Sequence, residues 1–171
     1  MRFSQIDRIT KLIDGEQLTA VKCLSLSEEY LQDHFPRFPV MPGVIMIEAL
    51  FQASMWLMRT TDRFQHPMVA LRGVRNVRFR DLVEPGDALM IETKLTKLDG
   101  NLAEYSATGT VHGDTAVSGR LTLEQYFIHD RLDAAAVYEP YMTAEFKRKF
   151  RLLVAPGLEL CLPVRQSLGM A

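Results

Sequence analysis

Glu48 stands inside an otherwise apolar run, VIMIEALFQASMWLM (residues 44–58), and His34 heads the segment HFPRFPVMPG just before it. An ionised carboxylate left alone in an apolar interior costs roughly several kcal/mol or more, so Glu48 must be neutralised, paired or solvated by a cavity. Gln52, at i+4 on the same helix face, supplies one hydrogen-bond partner. An apolar setting favours the protonated carboxyl, which can donate a proton. The plainer alternative is a glutamate that reaches the edge of the core or pairs with an arginine. His34, taken alone, could equally be a surface loop residue. Its setting argues for more: Pro36, Pro39 and Pro42 fix φ and restrict the residues before them, giving the stiff connection a positioned base requires. Gly43 then opens the helix, with a free N–H and close backbone approach where developing negative charge is stabilised. A base, an acid and an oxyanion contact would share one short stretch.

The elements that must hold these groups follow from the patterning. QIDRITKLI (5–13) and QLTAVKCLSL (17–26) flank Asp14-Gly15 and alternate like a hairpin with one covered face. Ser27 is the expected N-cap of a short helix ending near Asp33, with Glu28 and Glu29 at its dipole-favoured end. The central helix is expected from Gly43 to about Arg59, apolar almost all round and therefore buried on nearly every side. Extended segments follow at 69–79, 88–98, 102–111 and 115–127. Turns are expected at Glu84-Pro85-Gly86-Asp87, Asp99-Gly100-Asn101 and His112-Gly113-Asp114. Two strands, a long helix and four more strands read as an α+β fold, a sheet wrapped around one helix. Past residue 127 the character changes: Thr143, Glu145 and EFKRKFRLL suggest a short amphipathic helix before a tail punctuated by Pro and Gly.

Composition narrows the function classes. The chain has 171 residues, a net charge of −1 and 47% hydrophobic residues, an ordinary globular balance for one domain. That charge gives no support to coating nucleic acid. Cys23 and Cys161 lie far apart without CxxC spacing, so neither a disulfide scaffold nor a zinc site is indicated, and no metal site is expected. The N-terminal residues show no secretory pattern, and the longest apolar run is too short to span a bilayer. A cytoplasmic, non-membrane protein is the expectation.

HFPRFPVMPGVIMIEALFQ closely resembles the signature of the hotdog-fold 3-hydroxyacyl-[acyl-carrier-protein] dehydratases of FabZ type. His34, Phe35, Pro36, Pro39, Val40, Met41, Pro42, Gly43, Glu48, Ala49 and Gln52 match that pattern in order and spacing. IDRITKLIDGEQLTAVK and VRNVRFRDLVEPGDALMIE resemble the family's first hairpin and its strand pair after the helix, so the likeness covers about residues 5–127. The resemblance implies an antiparallel sheet wrapped around a long central helix, with residues 1–127 as the dehydratase domain and 128–171 as an extension on the same domain. It implies loss of water from a 3-hydroxyacyl thioester to give the trans-2-enoyl thioester. His34 would be the base, Glu48 the acid or hydroxyl-orienting group, Gly43 the oxyanion contact, and Gln52 the residue that holds Glu48. It further implies no cofactor beyond the phosphopantetheine that carries the substrate, an acidic acyl carrier protein as partner, and a homodimer sharing each site between subunits, in some members a trimer of dimers. Glu48 favours dehydration without isomerisation, since the related FabA-type enzymes carry Asp there. A hotdog thioesterase, or a non-catalytic acyl-binding subunit of a heteromeric dehydratase, are the alternatives.

The chain departs from that pattern in several places. An N-terminal helix before the first strand is not expected here. Phe51 and Met55 stand where the family has Ala and Gly, so they are expected to line and narrow the acyl tunnel. Asp81-Leu82 replaces a basic-Pro pair, and the tail from 128 is additional. Arg72, Arg75, Arg78 and Arg80 form either a docking patch for the acidic carrier or a solvated strand face with scattered ion pairs. Lys147, Arg148, Lys149 and Arg151 pose the same choice.

Overall fold

The computed structural model describes residues 3–35, 37–156 and 158, with the side chains of 133–135 left aside. Six strands form one antiparallel sheet: β1 (Arg8–Ile13), β2 (Gln17–Cys23), β3 (Met68–Phe79), β4 (Ala88–Asp99), β5 (Leu102–Val111) and β6 (Asp114–Tyr126). Their order across the sheet is β1-β2-β4-β5-β6-β3. The helix α1 (Gly43–Thr61) lies across its concave face, the hotdog arrangement expected from the sequence.

The turns follow the residues that make them cheap. Gly15, Gly86, Gly100 and Gly113 all take positive φ, and His112 (φ 53) joins Gly113 to close the tight β5–β6 hairpin. Alternation then selects the covered face. Leu89, Ile91 and Thr93 of β4, Ala103, Tyr105 and Ala107 of β5, and Leu121 and Leu123 of β6 are buried, with exposed or half-exposed residues between them. Burial pushes the Tyr105 hydroxyl's pKa above its ordinary value, as expected for a phenol deep in this core. Leu50, Ala53, Leu57 and Met58 of α1 fill the space above these strands. Ser54 fixes the helix on the sheet. Its hydroxyl lies 2.8 Å from that of Thr93 on β4 and 2.9 Å from the Leu50 carbonyl, which accepts a hydrogen bond from it. Leu57→Ala, which empties a fully covered position in the C-terminal half of α1, is expected to cost about 2–5 kcal/mol in a denaturant titration.

Three expectations need correction. Ser27 caps no helix: the short element is a single 3₁₀ turn, Glu29–Leu31, without a side-chain cap, and the Ser27 hydroxyl instead pairs with that of Ser25. Glu28 leaves the turn to bond the buried ammonium of Lys22, an ion pair stronger than a dipole contact in so enclosed a place. Nor is α1 buried on nearly every side. Val44 is 71% exposed, and Ile47, Glu48, Phe51 and Met55 along the same flank are only half-covered, because the sheet reaches one side of the helix alone. The helix also runs two residues further than expected, to Thr61.

Beyond β6, the helix α2 (Glu139–Leu153) docks beside α1. Phe146 meets Trp56 edge-on at 6.4 Å between ring centroids, and Phe150 packs on Trp56 and Phe64 at 5.9 and 5.5 Å. The buried Arg59 guanidinium lies 3.6 Å over the Phe146 ring, a contact worth about 2 kcal/mol when desolvated. Arg59 also donates to the Pro67 carbonyl at 2.9 Å. Burial lowers its pKa to about 10, against the pull of Asp62, so it stays charged at neutral pH. After α2 the chain turns along the outer edge of β1, where Val154 bridges Ile9 and the Ala155 N–H donates to the Ile9 carbonyl at 3.0 Å. Cys23 is a free thiol; Cys161 and the tail beyond 158 lie outside the described residues. Among the described residues no helix is long and apolar enough to cross a membrane, and no group of side chains has metal-binding geometry.

Candidate active site

The half-covered flank of α1 carries Glu48, and the geometry around it is built from backbone. Gln52 donates from Nε2 to Glu48 Oε1 at 2.7 Å and to the Phe3 carbonyl at 3.1 Å, while its Oε1 accepts the Gln5 N–H at 2.8 Å. A carboxamide bound at both ends cannot be reversed without losing these bonds, so its NH₂ always faces Glu48. That occupies Oε1 of Glu48 as an acceptor. Oε2 has no hydrogen bond among the described residues and is the oxygen left to exchange a proton or meet a ligand hydroxyl. The hold of residues 3–5 on Gln52 is invisible in sequence, because it is made by main-chain groups.

Glu48 opens onto a cavity of about 310 Å³. Phe51, Gln52, Met55 and Trp56 continue its lining along α1, and Phe3 and Ser4 border it from the N-terminal segment. Four of the residues singled out from the sequence, Glu48, Gln52, Phe51 and Met55, thus come together.

His34 and Gly43 do not join them within one chain. His34 follows the 3₁₀ turn, half-buried, and is absent from the cavity lining. Its ring lies 4.4 Å from that of Phe35, and it has no hydrogen bond among the described residues. Phe35 takes a left-handed φ of 56, a strained state for a bulky residue, closed by the Phe38 N–H donating to the Phe35 carbonyl at 2.7 Å. Pro36 lies outside the described residues. Further along, Met41 N–H donates to the Val83 carbonyl at 2.9 Å, which ties the loop to the segment before β4. Gly43 starts α1 directly beneath the Phe79 ring: a Cβ there would sit 2.9 Å from the ring edge, so only glycine lets Phe79 lie so close. Around this end Phe35, Phe38, Val44, Phe79 and Leu82 expose a cluster of large apolar side chains. An apolar cluster of this kind marks a contact surface.

Comparison with known proteins decides the family. The FabA-like domain matches residues 1–124. The chain belongs to the FabA-like family. Among its relatives, a 3-hydroxyacyl-[acyl-carrier-protein] dehydratase FabZ of Oenococcus oeni is 41% identical over 116 residues, covering 68% of this chain and 84% of that protein. The FabZ of Lactococcus lactis subsp. cremoris is 39% identical over 120 residues, 70% of this chain and 83% of that protein. Among solved structures, the dehydratase heterocomplex ApeI:P from Xenorhabdus doucetiae superposes with a TM-score of 0.59 at 22% identity, over 72% of this chain and 83% of that one. The smu.793 protein of Streptococcus mutans, bound to acetyl CoA, gives 0.57 at 12% identity, over 74% and 93%. At such identities the structures speak for the fold alone. In this FabA-like chain the basic residues of β3 are partly neutralised: Arg72 pairs with Glu124 at 3.1 Å and Arg75 with Glu104 at 3.2 Å. Arg148 of α2 pairs with Glu145 at 2.8 Å.

Proposed function

We propose that the chain is a 3-hydroxyacyl-[acyl-carrier-protein] dehydratase of fatty-acid or related lipid or polyketide biosynthesis. The observation that carries this reading is Glu48, oriented by Gln52 at the mouth of an apolar cavity, within a FabA-like chain up to 41% identical to FabZ dehydratases. In the proposed step a ring nitrogen of His34 takes the α-proton of the thioester, and the electron pair forms the α,β double bond as the β C–O bond breaks. The hydroxyl leaves as water with the proton that Glu48 Oε2 supplies. Negative charge gathers on the thioester oxygen, and in this reading the Gly43 N–H at the head of α1 stabilises it. The elimination is redox-neutral, so it calls for no electron-carrying cofactor, and the phosphopantetheine arm arrives with the substrate.

His34 and Glu48 serve one site only if a second copy brings its histidine to this cavity. The proposal therefore includes a homodimer joined at the exposed cluster around Phe35, Val44 and Phe79, with a trimer of dimers as a further assembly and an acidic acyl carrier protein as partner. Residues 1–127 form the catalytic domain and 128–171 an extension of the same unit; the cytoplasm is the proposed setting. The test is incubation of the purified chain with a 3-hydroxyacyl carrier-protein thioester. Formation of the enoyl thioester without free thiol supports dehydration. Release of free thiol would instead mean a thioesterase, and no turnover by the isolated chain would mean a binding subunit of a heteromer.

A further inference from the structure

The cavity at Glu48 is lined on one side by residues that the family match does not reach. That match ends at residue 124, whereas Phe146, Lys149, Leu152 and Leu153, all in the cavity lining, belong to α2. The helix is anchored at several points. Phe146 lies between Trp56 and the Arg59 guanidinium, Phe150 is buried against Trp56 and Phe64, and the Val154–Ile9 bridge pins its end to β1. From Glu48 to Trp56, on which Phe146 packs, α1 rises about 12 Å at 1.5 Å per residue. Apart from Glu48, Lys149 is the one charged side chain lining the space among the described residues.

We propose that α2 is the end wall of the acyl-binding site, with Phe146 seated on Trp56 as the stop, and that it sets an upper limit on acyl length. This rests on the dehydratase reading. Its occupant is the aliphatic tail of the substrate, since the cavity begins at the group proposed to meet the β-hydroxyl and continues between apolar walls. The space is about 310 Å³ and is bounded by Phe146 on the α2 side, which suits an aliphatic tail of limited length. The preferred substrates are short- and medium-chain 3-hydroxyacyl thioesters. Phe51 and Met55 narrow the passage, and Phe146 ends it.

Two measurements on the full chain test this. Trp56 is the only tryptophan and lines the cavity, so its emission reports occupancy without any turnover. Titration with non-reactive acyl-pantetheine thioethers of increasing length should change the emission for short and medium chains and lose affinity for long ones. In Phe146→Ala that cutoff should move to longer chains. The ratio of kcat/KM for long over medium 3-hydroxyacyl substrates should rise at least about tenfold, on the scale that methylene-sized changes bring in apolar pockets. Phe146→Leu, a milder truncation that keeps an apolar stop, should shift the cutoff less. Arg151→Ala, on α2 but outside the cavity lining, should leave it unmoved. A cutoff and ratio unchanged in Phe146→Ala, or a Trp56 emission indifferent to every acyl chain, overturns the proposal. So does a Phe146→Ala protein whose subunit number changes while its length profile does not, since α2 would then be a subunit contact. Absent turnover with an intact, Phe146-dependent binding cutoff would remove the dehydratase reading and leave the wall standing.

Discussion

Glu48→Gln is expected to lower kcat/KM for 3-hydroxyacyl thioesters by about 10²–10⁴-fold, the range for losing a general acid or base. The substitution is nearly isosteric, and Gln52 Nε2 can still donate to the new side-chain oxygen as it does to Glu48 Oε1. What disappears is the carboxyl oxygen Oε2, which has no other partner among the described residues and is the one proposed to exchange the proton. The thermal midpoint should therefore stay near that of the parent while turnover collapses. His34→Ala is expected to lose as much, because the other three histidines do not line the cavity and each has a carboxylate partner: His66 is bonded to Asp62 at 3.0 Å, His112 to Asp87 at 3.0 Å, and His129 to Glu139 at 3.1 Å. Either variant keeping its rate within about tenfold of the parent would remove that residue from the proposed chemistry.

Mixing the two inactive proteins should restore activity. If each site takes His34 from one copy and Glu48 from the other, a mixed dimer holds one intact site and one site lacking both groups. Random re-association makes half the dimers mixed, so about a quarter of the parent's activity should return after the subunits are exchanged. Sites completed within single chains would give nothing on mixing. The structure motivates this experiment: Glu48 lines a cavity from which His34 is absent, and the apolar cluster on the His34 side is uncovered.

The fold was largely legible because its signals are local. Glycines where the backbone turns to positive φ mark the hairpins, and strict alternation marks β4 to β6. The Glu48–Gln52 contact was legible for the same reason, as an i+4 pair on one helix. The misreadings concern distant partners. Ser27 has good capping chemistry, but Lys22 from β2 draws Glu28 away and only a single 3₁₀ turn forms. The apolar run of α1 implies burial without saying by what, and the flank bearing Val44, Phe51 and Met55 is not covered by its own sheet. The Phe3 carbonyl accepts from Gln52 and the Gln5 N–H donates to it, and no side-chain pattern reveals such main-chain partners. An aromatic pair at i and i+4 in α2 announces an apolar face, yet not that it would end a cavity beside Glu48.

The bridge from Val154 to Ile9 bears on how many copies can join. A β-sheet has two rims, and in this chain β1 and β3 occupy them. The rim at β1 is already partly satisfied by the strip of chain that follows α2. Two copies meeting through β3 would spend the open rim of each and present only obstructed rims outward. Growth by adding strand to strand would then be hindered beyond a pair, and any larger assembly of dimers would use other surfaces.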